Sequence, residues 1–265
     1  MARKMFAVVS LIIIFVSLVI TYTLTKKATE YKSNAMAANP FTKLIYQQDF
    51  TTNAALDPYF WTYTTGPEAW NGEKQYYTAA NVNVSNGTLN FVGKRQQMGT
   101  LNYSSGKIVS RLAYKYGRYE VVAKVPKGKG TWPAFWLFDY TNNGYGEIDV
   151  MEFVGKIPNW LYSTVHFGTE DATLEHVSEE LQIAKAWAGY HTYTLDWTAT
   201  NITIYIDGIT VLTMDPIVSR KNGITPLDKP MNVILNLALG GEWGGQISNY
   251  IFPSEFKVKS IKIWQ

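Results

Sequence analysis

Cysteine is absent from this 265-residue chain, so no disulfide framework and no thiolate-bound metal can hold its fold. Nucleophilic Cys chemistry is excluded with it, and no Gly-x-Ser-x-Gly elbow offers a serine nucleophile instead. A charge excess of one sign is also missing once the N-terminus is set aside. Of 24 basic and 21 acidic side chains, five and one fall in residues 1–35, leaving 19 against 20 in the remainder. The basic character of the full chain is therefore mostly a property of its N-terminus, and with no basic stripe nucleic acid is excluded as an expected partner. The short cluster Lys124, Lys127 and Lys129 reads as a solvated loop. Internal repeats, low-complexity blocks and a linker are all lacking between residues 40 and 265.

One long apolar run is present, from Met5 to Leu24, with Arg3 and Lys4 before it and Lys26 and Lys27 after. Its 20 residues suffice for a bilayer crossing, and small residues at Ser33, Ala35 and Ala37 offer cleavage points, so a cleaved secretory signal and a retained anchor both fit. Residues 1–35 are accordingly expected to direct export, to the extracellular space or the cell surface, and any membrane association is expected only through that segment. The expected domain is 36–265, about the size of one all-β sandwich or barrel and large enough to be stable without cross-links. A monomer is expected.

Within that domain the apolar period is two and the breaks are turns. Strand character runs over 80–84, 88–93, 116–124, 147–153, 190–197 and 202–206, and Asp207-Gly208 joins 202–206 to 209–213 as a hairpin. Only 172–188 has helical character, with mixed periodicity. The reading is one antiparallel all-β domain of two stacked sheets. Aromatic residues are dense, with 9 Trp and 18 Tyr; they suit a sandwich core, or equally a groove that holds sugar rings by flat apolar contact.

Against this background Gly146-Glu147-Ile148-Asp149-Val150-Met151-Glu152-Phe153 stands out, because it sets three carboxylates in an apolar strand. In a regular strand Glu147 and Asp149 share a face while Glu152 points into the core with Ile148 and Val150. A β-bulge between Asp149 and Glu152 would bring all three acids to one cleft and leave Ile148 inside. Two carboxyls about 5 to 5.5 Å apart suit a retaining glycosidase. Glu147 would be the nucleophile, Glu152 the general acid and then base, and Asp149 a hydrogen-bonding partner that restrains Glu147. Like charge and desolvation should raise the pKa of whichever acid carries the proton. The alternative is a cation site, since three acids can bind calcium, although the glycine-rich loop of such sites is missing.

The string Glu-Ile-Asp-Val-Met-Glu resembles the catalytic signature of glycoside hydrolase family 16, in the form with an extra residue before the last Glu. Further resemblance lies in Trp70-Asn71-Gly72-Glu73 with Gln75-Tyr76-Tyr77, in Tyr116-Gly117-Arg118-Tyr119-Glu120, in 129–137 around Trp132-Pro133-Ala134-Phe135-Trp136, in Thr164-Val165-His166-Phe167 and in 236–243 ending at Glu242-Trp243. It spans roughly residues 43–265 and implies a β-jelly-roll with a concave cleft and endo-acting, retaining hydrolysis. Within the family the pattern is most similar to laminarinases, the endo-1,3-β-glucanases. Relatives with the same bulged signature cut mixed-linkage glucan, agar or carrageenan, and a non-catalytic glucan-binding module on the same sandwich is the competing class. An enzyme for a sulfated galactan would need basic side chains in its subsites; Arg95, Arg111 and Arg118 are available but not located by sequence.

The resemblance also implies substrate contacts. Trp132 and Trp136 lie four apart on an extended segment, share a face, and would shape the cleft floor near the cleavage point. Trp243, in a Gly-rich loop, would form a groove wall. His166 would reach the catalytic carboxylates or a sugar hydroxyl, where a core imidazole is the plainer account. Asn71 and Glu73 resemble glucan-binding positions on the non-reducing side, against loop capping. Asn236, in an apolar strand, needs polar partners in either case. The family often binds a structural calcium through an Asp of the last strand; here the corresponding residue is Lys259, whose ammonium cannot ligate a cation. No metal or other cofactor is therefore expected to be required, and a structural calcium stays open as the alternative that Lys259 disfavours.

Overall fold

The computed structural model describes residues 36–68, 70–141, 144–168, 174–220 and 225–265. The expected signal or anchor, 1–35, lies outside the described residues. Among those described, no helix is long and apolar enough to cross a membrane.

Two large antiparallel sheets face each other, as the period-two pattern predicts. The outer sheet runs, in spatial order, Ile209–Met214, Ile202–Ile206, His191–Trp197, Gly117–Lys124, Ser254–Trp264, Thr88–Gly93 and Val82–Ser85, with Leu44–Asp49 also paired to Ser254–Trp264. The inner sheet runs Glu175–Gln182, Trp160–Gly168, Tyr145–Phe153, Thr131–Phe138, Asn232–Leu239, Lys107–Ser110 and Trp61–Tyr63. Strand order departs from chain order in both, the signature of a jelly-roll rather than a meander.

The core lies between the sheets and is built by alternation. Along Asn232–Leu239 the side chains of Val233, Leu235, Leu237 and Leu239 enter it, while Asn236 and Ala238 look into the cleft on the other face. Along Thr131–Phe138, Phe135 and Leu137 are core, and Trp132, Ala134, Trp136 and Phe138 line the cleft. The inner sheet is thus apolar on one face and functional on the other. Tyr119, Val121, Leu195, Trp197, Ile204, Phe256 and Val258 close the core from the outer sheet. Each fully buried side chain of this size contributes about 1.5–3 kcal/mol.

Asp207 and Gly208 both have positive φ, 51° and 77°, as a two-residue type I′ hairpin requires. Lys127 and Lys129 are exposed, as expected of a solvated loop, whereas Lys124 ends the strand Gly117–Lys124 and is half-buried. Two segments differ from the sequence reading. Residues 79–81 form a turn of 3-10 helix and the strand begins at Val82. The region given helical character instead contains the edge strand Glu175–Gln182, followed by turns; 172 and 173 are outside the described residues. Leu174, Val177 and Leu181 are spaced by three and four, which mimics a helix. Eight consecutive pairings with Trp160–Gly168 satisfy the backbone of this segment, and tertiary pairing overrides the local pattern.

Candidate active site

A cleft of about 450 Å³ opens on the outward face of the inner sheet. It is built around a local irregularity in Tyr145–Phe153. Opposite Trp160–Gly168, Asp149 pairs with Thr164 and Glu152 with Tyr162, so Val150 and Met151 together face Ser163. Opposite Thr131–Phe138 the register also slips, from Phe135↔Met151 to Trp136↔Asp149. This is the bulge that parity requires. Val150 and Met151 both turn into the core, Ile148 and Phe153 remain there, and Glu147, Asp149 and Glu152 all line the cleft. The carbonyl of Val150 accepts a hydrogen bond from the Ser163 hydroxyl at 3.0 Å, which satisfies one group at the disrupted ladder. At Gly146 a Cβ would lie 2.7 Å from the carbonyl oxygen of Pro226 and 2.9 Å from Met231 Cε, so a side chain there would displace the strand that carries the acids.

The three acids differ in what surrounds them. Burial pushes Glu147 up from the ordinary carboxylate range, but four neighbours oppose it: the Tyr145 hydroxyl, His166, a hydrogen bond with Asp149, and Lys107. Tyr145 donates to Glu147 Oε2 at 2.5 Å. Asp149 is raised well above its usual value, first by burial, then by the charge of Glu147 and by its hydrogen bond with Glu147. Glu152 is also raised well above, by burial first and the Asp149 charge second; the Trp132 indole, donating to Oε1 at 2.8 Å, offsets this in part. Both glutamates are thus raised by burial, Glu152 the further, while Glu147 has the more neighbours that favour its charge.

His166 pairs across the strands with Glu147, and its Nε2 lies 3.4 Å from Asp149 Oδ2, an oxygen that has no hydrogen-bond partner among the described residues. Oxygens of Glu147 and Asp149 and a nitrogen of His166 lie within 4.8 Å of one another, close enough to share a cation; Glu152 is not part of this group. At Lys259, where the family's calcium ligand would fall, the ammonium sits 4.0 Å from the centre of the Tyr190 ring, a donor engaged with an aromatic face that fits no cation.

The expected sugar contacts converge on the same cleft: Trp132, Trp136, His166, Trp243, Asn71 and Glu73 all line it. Trp243, on the short helix Gly241–Gly244, packs edge-on against Trp132 at 5.4 Å and Tyr162 at 4.9 Å. Asn71 has a positive φ of 55° in the loop Trp70–Gly72, which packs on that helix. Asn236 finds the partners it needs: its Oδ1 accepts from Trp136 Nε1 at 2.8 Å and its Nδ2 donates to the Tyr77 hydroxyl at 3.0 Å. Tyr77 continues to Glu73 Oε2 at 3.3 Å, which also accepts from Gln75 Nε2 at 2.5 Å. Burial raises the Glu73 carboxyl above its usual range.

Sequence reasoning missed two lining residues of consequence. Tyr145 shares the face of Glu147 two positions earlier, so parity would have found it. Lys107 is nearly buried, ion-paired to Glu68 at 2.6 Å, with its ammonium 5.2 Å from the Trp136 ring centre; its partner is remote in sequence, and no local signal marks it. Among the described residues no arginine lines the cleft: Arg118 is buried against Asp196 in the outer sheet, Arg111 donates to the Pro58 carbonyl, and Arg95 borders a separate surface groove.

Comparison with known proteins agrees with this geometry. Residues 71–252 match the family described as glycosyl hydrolases family 16. A β-glucanase of Rhodothermus marinus is 31% identical over 85% of this chain and 86% of its own length. A glucan endo-1,3-β-glucosidase A1 of Niallia circulans is 32% identical over 84% of this chain, which spans 38% of that longer protein. The crystallised laminarinase from Rhodothermus marinus superposes with a TM-score of 0.75 at 29% identity, covering 84% of this chain and 97% of that one. The chain belongs to glycosyl hydrolase family 16.

Proposed function

We propose that this family 16 hydrolase is an endo-1,3-β-glucanase that cleaves laminarin-like glucan with retention, by double displacement. The observation that carries the mechanism is the bulge, which brings Glu147 and Glu152 to one cleft, where burial raises both carboxyls and Glu152 the further of the two. Glu147 attacks the anomeric carbon while Glu152 gives its proton to the departing glycosidic oxygen. A glycosyl-enzyme ester on Glu147 results. Glu152, now ionised, takes a proton from water as that water attacks the same carbon, and Glu147 leaves as a carboxylate. Asp149 donates its hydrogen bond to Glu147 and restrains it, and the Trp132 indole holds Glu152.

The substrate reading rests on relatives named for 1,3-β-glucan and on the cleft wall. Trp70, Trp132, Trp136 and Trp243 supply flat apolar surface for pyranose rings. Lys107 is the sole lysine or arginine lining the cleft among the described residues, and its charge is matched by Glu68. That composition suits a neutral glucan better than a sulfated galactan. Trp132, Trp136, His166, Trp243, Asn71 and Glu73 are proposed as substrate contacts, and the enzyme as an exported monomer that needs no metal for its chemistry.

The test is release of reducing ends from laminarin by purified protein, with Glu147→Gln run beside it. The parent is expected to be active and the variant slower by roughly 10³-fold or more. A folded parent inactive on laminarin, yet active on mixed-linkage glucan, agar or carrageenan, would reassign the substrate; inactivity on all of them would leave a binding module.

A further inference from the structure

We propose that Tyr145 is a positioning residue for the nucleophile: its hydroxyl, donated to Glu147 Oε2, holds that carboxylate ionised and oriented for attack, and stabilises it when it departs from the glycosyl-enzyme. The inference rests on the retaining mechanism above and adds a residue to it.

The geometry is specific. Tyr145 and Glu147 occupy alternate positions of Tyr145–Phe153 and so project into the cleft side by side. The residue across from Tyr145 is Gly168, so no cross-strand side chain competes for the space its ring takes. The ring rests edge-on against Phe138 at 5.4 Å, and Phe138 is itself braced by Tyr140 at 4.8 Å and Trp70 at 5.9 Å. An aromatic wall thus fixes the hydroxyl, and its bond to a Glu147 carboxylate oxygen is charge-assisted.

Removing that bond has consequences that the other neighbours do not mask. Facing Glu147 are Asp149 and Glu152 from its own strand, His166 from Trp160–Gly168, Lys107 from Lys107–Ser110, and Tyr140 beyond Thr131–Phe138. Glu152 and Tyr140 gain nothing from a charged Glu147: burial is the main cause that pushes both up, Tyr140 to about 12, and the Glu147 charge adds to it. Among the groups that favour the charge, Tyr145 acts most strongly. Without its hydroxyl, Glu147 holds a proton to higher pH and is a poorer leaving group in the second step.

The test is Tyr145→Phe, which keeps the ring and its packing. Expected are a kcat on laminarin lower by about tenfold, a loss shown by a hydrogen bond to a charged group, and an acid limb of kcat/KM moved to higher pH, with the melting temperature close to the parent's. A parental pH profile with kcat within about twofold would overturn the proposal. Should the parent itself be inactive on every glucan, the glycosidase reading fails, and the proposal is judged on NMR titration of the Glu147 carboxyl. There the paired titration of Glu147 and Asp149 is expected to move to higher pH in the variant, and an unmoved titration would overturn the inference on its own.

Discussion

The two sheets of this sandwich bury charge in opposite ways. In the outer sheet Arg118 lies across from Asp196 on paired strands, and Nε and Nη2 each bond one carboxylate oxygen at 2.6 Å. Nη2 also donates to the Ala37 carbonyl at 3.0 Å. Both charges of this buried pair have their complement. In the inner sheet three acids share one face, with Lys107 and the His166 ring as neighbours and an Asp149 oxygen left without a donor. A like-charge cluster in a desolvated cleft opposes folding, whereas a matched bidentate pair is consistent with it. The difference separates these two clusters: the matched Arg118–Asp196 pair belongs to the scaffold, and the acids gathered on one face belong to the chemistry.

Neutralising one acid on each side would break the comparison if the reading is wrong. Glu152→Gln should slow laminarin cleavage by about 10²–10⁴-fold, the range of lost general acid catalysis. The loss should be much smaller on an aryl glucoside whose leaving group needs no proton, and equal losses on both substrates would remove Glu152 from that role. Asp196→Asn should do the reverse. Stranding the buried Arg118 guanidinium costs about 3–5 kcal/mol, read as a lower denaturant midpoint, while the activity of the folded fraction stays at the parental level. A fall in kcat of the folded enzyme would show that the outer sheet is not mere scaffold.

How much of this was legible in the sequence follows the same division. Glu152 betrayed the bulge because regular alternation would have buried it beside Ile148, a cost too high to be accidental. The two-sheet architecture was readable from alternation, and the Asp207-Gly208 hairpin from its turn chemistry. The edge strand Glu175–Gln182 was not, because one of its faces is solvated and its apolar residues fell at helical spacing. Long-range partners were invisible for a different reason. Asn236 and Tyr77 are 159 positions apart, and Lys107 and Glu68 are 39 apart. An alternating Lys-Ile-Val-Ser segment reads as a strand with its lysine in water; only the fold shows that this lysine is buried over Trp136.

The stability side of Glu152 sharpens the contrast at smaller scale. Its folded pKa is raised, so the unfolded chain releases this proton first as pH rises, and native stability falls through that interval. The fall starts near the ordinary glutamate value and continues until the native carboxyl ionises. Glu152→Gln removes the titration. Its melting temperature should exceed the parent's at pH 8 by a few degrees, on the order expected for about 1 kcal/mol in a domain of this size, and the gap should close near pH 4. A variant less stable than the parent at pH 8 would mean that the carboxyl is better solvated than its setting implies.

The smallest effect belongs to the outer sheet's exposed ion pair. His191 Nδ1 lies 2.6 Å from Asp207 Oδ2 at the hairpin turn, where the His side chain is 13% and the Asp side chain 41% exposed. The hydrogen bond to Asp207 raises the His191 pKa, and the same bond, with that from Thr192, lowers Asp207 against its burial. The signs define a window. The His contribution is complete below its unfolded value, about 6.5, and is lost as pH rises through the raised folded value; the Asp contribution is complete above about 3.9 and is lost as pH falls through the lowered one. Asp207→Asn removes the charge and keeps a residue that tolerates the turn's positive φ. Between about pH 4 and 6.5 it should cost roughly 0.5 kcal/mol, the worth of a solvent-screened pair, and above the raised His191 pKa the part due to charge should vanish. A penalty that persisted undiminished at pH 9 would assign the whole effect to the turn hydrogen bond that Asp207 accepts from the Thr192 amide, and would leave Arg118 and Asp196 as the pair on which the outer sheet's half of the contrast rests.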